Sequence, residues 1–227
     1  MKIHVYLASQ GVLSRREAER QLKDGHIFVN DERITDPTHE MKEGDAITFS
    51  NTLQRKIRDH ITLAFYKPRG IVSDKHDGQK DILGTLPKKY RDLHVVGRLD
   101  KESEGLILVT NDGRITKRLT NEHKTEKEYI VTTHEKINPG LLPHMEKPIK
   151  IDNKMTLPAK VTYLDKNTLS VILKDGRNHQ VRRLANRSKL TVKALKRVRI
   201  GKLGIKRLQS GQYRILKPEE IQSLFKN

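Results

Sequence analysis

The 227-residue sequence has no cysteine and no tryptophan, and only 4% of its residues are aromatic. Without cysteine there is no disulfide framework, no thiolate metal site, no Cys nucleophile and no thiol switch. There is no run of about 18 apolar residues, and Met1 to Tyr6 lacks the apolar core of a signal peptide. Neither insertion nor export is expected, and the expected compartment is the cytoplasm. Missing too are GxxxxGK[ST], a GxGxxG after a strand, HExxH and GxSxG, which leaves nucleotide hydrolysis, dinucleotide redox chemistry and zinc hydrolysis without support. The 10 His residues do not cluster at ligand spacing, so no metal is expected.

What the sequence has in excess is positive charge. Its 46 Lys plus Arg face 28 Asp plus Glu, a net charge of +18. Residues 1–50 carry 7 against 9, residues 51–170 carry 23 against 16, and residues 171–227 carry 16 against 3. An imbalance of this size implies a polyanionic partner. Nucleic acid or the ribosome fits better than a membrane surface, because no basic amphipathic helix with a bulky aromatic face is present. The stretch from Lys174 to Lys217 is expected to lie along phosphates. A charge run is more often a solvated face, but this one is interleaved with Val181, Leu184, Leu190, Val192, Leu195, Val198 and Ile200. The segment therefore folds rather than trailing as a tail.

The first fifty residues read as a unit of their own. An apolar-periodic stretch from Ile3 to Ala8 is stopped by Gly11, and Ser14-Arg15-Arg16-Glu17 has capping-box spacing for a second helix that ends at Gly25. Ile27-Phe28-Val29, the turn Asn30-Asp31 and Arg33-Ile34 predict a hairpin, followed by a strand from Ala46 to Phe49. Residues 51–59 are polar without strand alternation and read as a linker. The division is thus 1–50, a linker at 51–59, and a second domain at 60–227. In that domain strand-like runs cover Ile61–Tyr66, His94–Val96, Leu106–Thr110, Tyr129–Thr133, Ala159–Leu164 and Leu169–Leu173. Helices are predicted at Ile115–Leu119, Leu141–Met145 and Asn178–Ala185, with a last one opened by Lys217-Pro218-Glu219-Glu220. Strands and helices do not alternate as in a doubly wound sheet, so an α+β domain on a largely antiparallel sheet is expected.

Gly97-Arg98-Leu99-Asp100-Lys101-Glu102-Ser103-Glu104-Gly105 places several acids in a loop between two apolar runs. Taken singly, Asp100 is one acid among 28. Together with Leu106 to Gly113, however, this block resembles the catalytic signature of the ribosomal pseudouridine synthases. Lys67-Pro68-Arg69-Gly70, Lys127-Glu128-Tyr129 and Gly176-Arg177-Asn178-His179-Gln180-Val181-Arg182-Arg183 stand in that family's order. The first fifty residues resemble the αL-type RNA-binding domain of a small-subunit ribosomal protein and tyrosyl-tRNA synthetase. The resemblance covers nearly the whole chain. It implies the pseudouridine synthase fold, a mixed, largely antiparallel bent sheet with flanking helices and a central cleft, and the isomerisation of a uridine in ribosomal RNA without any cofactor.

Carried over residue by residue, the resemblance implies that Asp100 is the essential carboxylate, that Tyr129 packs on the target uracil and that Arg182 pairs with Asp100. The carboxylate either attacks the sugar or abstracts a sugar proton. A planar guanidinium would hold it ionised and oriented. A base in a helix must be unstacked to react, and an aromatic face offsets part of that cost. Lys67, Arg69, Arg98, Lys127, Arg177 and Arg183 are the candidate RNA contacts of the second domain. Ser14, Arg15, Arg16 and Lys23 lie on the helix that meets RNA in αL-type domains. Leu184 stands where the family has Met, and Ser188-Lys189 where it has a Gly suited to a left-handed turn, which Lys adopts only at a cost. The other function weighed is a non-catalytic RNA-binding or assembly factor, which is expected to have lost Asp100, Tyr129 or Arg182; a synthase acting on another RNA is the third. The expected partner is ribosomal RNA or a pre-ribosomal particle, with no membrane, and a monomer is expected because no apolar stripe advertises a second copy.

Overall fold

The computed structural model describes residues 1–58, 60–74, 78–120 and 125–224. It divides into two compact units, Met1–Thr62 with Thr110–Lys117, and Leu63–Val109 with the described residues from Arg118 onward.

The first unit opens with helices α1 (Ile3–Ser9) and α2 (Arg15–Lys23). Gly11, at φ +72, turns the chain between them, and the Ser14 hydroxyl caps α2 by accepting the Glu17 N–H at 3.2 Å. Strands β1 (Ile27–Val29) and β2 (Glu32–Arg33) form the expected hairpin. Its turn residues Asn30 and Asp31 are left-handed, at φ 48 and 65, which Asn and Asp tolerate best among residues with a Cβ. Strand β3 (Ile47–Phe49) pairs antiparallel on the other side of β1. Ile3, Leu7, Ala18, Leu22 and Ile27 form the core of this unit.

The expected linker is corrected here. Residues 51–58 form helix α3 (Asn51–Arg58), with the Ser50 hydroxyl accepting the Leu53 N–H at 3.3 Å. Leu53 is buried in the same core, and Ile57 packs against it. Two apolar residues four apart make a one-stripe helix, which a polar composition hides. Residue 59 lies outside the described residues.

Along the rest of the chain come β4 (Thr62–Lys67), α4 (Ile82–Thr85), β5 (His94–Val96), β6 (Glu104–Thr110), α5 (Gly113–Thr120), β7 (Lys127–Thr133), α6 (Leu142–Glu146), β8 (Lys150–Ile151) and β9 (Lys154–Met155). These are followed by β10 (Lys160–Asp165), β11 (Thr168–Leu173), α7 (Gln180–Arg187), β12 (Val192–Ile200), β13 (Leu203–Gly204), β14 (Tyr213–Ile215) and α8 (Pro218–Ser223). The large sheet has the order β10-β11-β7-β12-β6-β4-β14, with β13 beside β12 and β5 beside β6. The pairings β10–β11, β11–β7, β7–β12 and β4–β14 are antiparallel, and β12–β6 is parallel. The fold is α+β on a mixed, largely antiparallel sheet, as expected.

Strand β12 was not expected as a strand. Its pairing with β7 shifts register between Val192 and Ala194 and again between Arg197 and Arg199. Register shifts of this kind break the two-residue alternation by which a strand is recognised. The structure also corrects the reading of the basic C-terminal quarter as a phosphate track. Arg197 is buried. Arg199 pairs with Glu128 at 2.7 Å and with Glu126 at 3.3 Å, and Arg214 pairs with Glu220 at 2.6 Å. Part of that charge is therefore already paired with the protein's own carboxylates, and Arg197 is turned inward. Lys189 takes a left-handed turn, at φ 58.

Candidate active site

Asp100 lies on the loop between β5 and β6, and three buried side chains hold that loop by its backbone. Ser73 donates its hydroxyl to the Leu99 carbonyl at 2.7 Å and accepts the Leu99 N–H at 2.9 Å. Lys67 Nζ donates to the carbonyls of Ser103 at 2.8 Å, Pro68 at 3.0 Å and Lys101 at 3.4 Å. Arg197 donates through Nε to the Leu106 carbonyl at 2.7 Å and through Nη1 to that of Arg98 at 3.4 Å. Gly105 brings β6 against β12 at φ +111; a Cβ there would stand 2.2 Å from the Arg197 carbonyl oxygen. Only glycine fits.

The carboxylate of Asp100 is 36% exposed, and His179 Nδ1 stands 3.3 Å from its Oδ2. His179 is itself left-handed at φ 51, so α7 begins at Gln180 rather than at the expected Asn178. The preceding loop is fixed by Gln180, whose amide accepts the Arg177 N–H at 2.9 Å and donates to buried Asp175 at 2.7 Å. Asp175 also accepts the Leu157 N–H at 2.8 Å. Tyr129, buried on β7, walls a cavity of about 260 Å³ together with Asp100, Leu173, His179, Val181 and Leu195. A carboxylate, an aromatic face and an apolar lining thus converge on a space suited to a nucleoside.

Of the residues expected to act together, the structure brings Asp100 and Tyr129 to one cavity and leaves Arg182 outside the pair. No ion pair joins Arg182 to Asp100 among the described residues, and His179 occupies that place. The reason is local: the left-handed turn at His179 aims its ring at the loop, while Arg182 starts one helical turn further on.

The expected RNA contacts divide in the same way. Lys67 is corrected: it is 0% exposed, burial lowers its ammonium to about 8 despite the nearby Asp100 and Glu102 carboxylates, and its donors are spent on loop carbonyls. It has no donor to offer a phosphate. Arg177 is mostly buried and lies 4.0 Å from Asp175. Lys127 donates to the Thr125 carbonyl at 3.2 Å, and burial followed by the Arg197 charge lowers its ammonium to about 8. Arg183 is exposed on α7. Arg98 and Arg69 are exposed and pair loosely with Asp74 at 3.4 Å and Glu102 at 3.2 Å. In the first unit Arg15, Arg16 and Lys23 are exposed along α2, while the Ser14 hydroxyl serves the helix cap.

Three residues of this site were not singled out in the sequence. His179 lies inside the block Gly176 to Arg183, where the arginines carry the visible signal of a polyanion contact. Arg197 faces Tyr129 across β12 and β7, a relation that exists only once those strands pair. Ser73 carries no local sequence signal.

A family model described as RNA pseudouridylate synthase matches residues 61–187, and an S4 domain model matches residues 1–47. The chain is 32% identical over 231 residues to the dual-specificity RNA pseudouridine synthase RluF of Escherichia coli (strain K12), covering 100% of this chain and 79% of that protein. It is 31% identical over 235 residues to the ribosomal large subunit pseudouridine synthase B of Bacillus subtilis (strain 168), covering 98% and 95%. A solved structure described as a pseudouridylate synthase matches with a TM-score of 0.73 at 25% identity, over 99% of each chain. The chain belongs to the RNA pseudouridine synthase family, enzymes that isomerise uridine, and carries an S4 domain at its N-terminal end.

Proposed function

We propose that this enzyme converts uridine to pseudouridine in ribosomal RNA, with Asp100 as the carboxylate that acts at the sugar and Tyr129 as the face on which the extruded uracil packs. The observation that carries this reading is the shared cavity: Asp100 and Tyr129 line it together, and the loop bearing Asp100 is held by buried hydrogen bonds on both sides of the carboxylate. Preorganisation of that kind is what a reacting group needs. The reaction breaks the bond from ribose to the ring nitrogen, turns the base and re-forms the bond through a ring carbon, so no second reactant enters. Ribosomal RNA is supported by the Bacillus subtilis relative, whose name assigns it to the large ribosomal subunit, and by the net charge of +18.

In this reading residues 1–50 supply RNA contacts through Arg15, Arg16 and Lys23, and residues 60–227 form the catalytic domain. Arg69, Arg98, Lys127, Arg177 and Arg183 serve the RNA near the reacting nucleotide, and Arg182 reaches it from α7. No helix among the described residues is long and apolar enough to cross a membrane, and the proposed setting is a monomer acting in the cytoplasm. The experiment is pseudouridine mapping by carbodiimide labelling and primer extension across both ribosomal RNAs, in cells with the gene, without it, and with Asp100→Asn. One position lost in both altered strains is the expected result. If no ribosomal position changes, ribosomal RNA is not the substrate and other RNAs become the target.

A further inference from the structure

We propose that Lys127 and Arg197 form an anion-stabilising site for the detached uracil ring, taking up the negative charge it carries between bond cleavage and bond formation. This rests on the assignment of Asp100 and Tyr129 above, narrows the RNA contact of Lys127 to the base itself, and gives Arg197 a task beyond anchoring the loop.

A second cavity, of about 410 Å³, adjoins the first, and Tyr129, Arg98 and Arg177 line both. Its own walls include Lys127, Arg197, Val96 and Ile200. The strand register explains the gathering. Arg197 on β12 is directly opposite Tyr129 on β7, and Lys127 precedes Tyr129 by two residues, so all three side chains share one face of the sheet. The Lys127 stem passes under Gly176, its Cδ 3.8 Å from where a Cβ would stand.

Two features favour an anion in this cavity. Arg197 is 3% exposed. Its Nε and Nη1 hold the catalytic loop, and its Nη2 is buried without a hydrogen-bond partner among the described residues. An unpaired buried cationic donor is costly and calls for an acceptor. The lining also sets four cations, Arg98, Lys127, Arg177 and Arg197, against two carboxylates, Asp152 and Asp175, and both oxygens of Asp175 are already engaged by Leu157 N–H and Gln180.

The reaction supplies such an anion. When the bond from C1′ to N1 breaks, its electron pair leaves with the base, which becomes a uracil monoanion with charge on N1 and the two exocyclic oxygens. When C5 bonds to C1′, the pair returns to carbon, the proton leaves C5 and N1 gains one, so that substrate and product are isomers. Fixed cations aimed at charge that develops only in mid-reaction stabilise the transition state more than the ground state. A flat anion suits walls made of Tyr129, Val96 and Ile200, whereas a backbone phosphate suits exposed cations.

The test uses the full chain. In calorimetric titration, 5-nitrouracil, ionised at neutral pH, is expected to bind at least about tenfold more tightly than neutral thymine, with that preference lost in Lys127→Met and in Arg197→Lys. Equal affinities, or binding of neither base, overturn the proposal. So does binding of inorganic phosphate without either base, which would assign the site to the RNA backbone. In single turnover on the mapped RNA, Lys127→Met should lower kcat about a hundredfold with little change in KM. A raised KM at unchanged kcat overturns it. If Arg197→Lys fails to fold because the loop loses its support, Lys127→Met still decides. Absence of pseudouridine with the unaltered protein would fault the proposed substrate instead, and the base titration still decides this site independently.

Discussion

His179 Nδ1 and Asp100 Oδ2 stand 3.3 Å apart, with side chains 49% and 36% exposed. This is the contact the resemblance assigned to Arg182. A polar contact this open to water contributes under about 1 kcal/mol. His179→Asn is therefore expected to lower kcat less than about fivefold in a single-turnover assay, with RNA affinity unchanged. A loss of a hundredfold would show that the imidazole engages the reacting nucleotide.

Asp100 supports no part of the core, since its side chain reaches a cavity rather than a packed interior. Asp100→Asn should keep the unfolding midpoint and the RNA affinity of the parent while lowering turnover at least about a hundredfold. Denaturant titration beside tritium release from 5-tritiated uridine RNA separates the two effects.

Ser73 serves both polar backbone groups of Leu99, immediately before Asp100. Ser73→Ala leaves a buried N–H and a buried carbonyl without that partner, at a cost of about 1–3 kcal/mol. Stability and kcat should fall together, and Ser73→Thr, which keeps the hydroxyl, should recover part of both. Urea unfolding and a rate assay on the same preparations check this.

Glycine is required for different reasons at two left-handed positions. At Gly105 an added Cβ meets the Arg197 backbone at 2.2 Å, whereas at Gly70 (φ +84) it meets nothing within 4 Å. Gly105→Ala is expected to cost about 3 kcal/mol or more, and Gly70→Ala about 1 kcal/mol. Chemical denaturation of the two variants gives the comparison.

Hydrogen bonds from Arg214, then Lys206 and the Lys217 N–H, hold the Glu220 carboxyl down at about 2, against an ordinary 4.5. A lowered carboxyl stabilises the folded state above its unfolded pKa and loses that contribution as pH falls from 4.5 toward 2. Glu220→Gln should cost about 1 kcal/mol at neutral pH, given its surface setting, and should flatten the stability curve across that acid window. Thermal unfolding from neutral to acid pH measures it.

The S4 helices, their cap and the hairpin turn were legible because each rests on neighbours a few residues apart: Ser14 with Glu17, and Asn30 with Asp31. Asp100 and Tyr129 stand in motifs visible in the sequence, and the structure brings both to one cavity. What stayed hidden depends on pairing between distant segments. Strand β12 carries two register shifts that disguise its period. Lys67 and Arg197 have the composition of surface residues, and their burial follows from loop carbonyls that come within reach only when β4, β6 and β12 lie side by side. The neighbour of Asp100 in the structure is His179 rather than Arg182, because a left-handed His179 opens α7, and a side-chain direction at a helix entrance is not written in spacing.

Strand β12 also sets an order of assembly. It lies between β7 and β6, and its Arg197 reaches back 91 residues to Leu106. During synthesis, the segment bearing Asp100 emerges from the ribosome long before the strand that must dock beside it. Contacts so distant in sequence close slowly. A chain stopped before Val192 contains Asp100 without one of the anchors of its loop. Full support of the Asp100 loop therefore waits for β12, as a step separate from the first collapse of the chain.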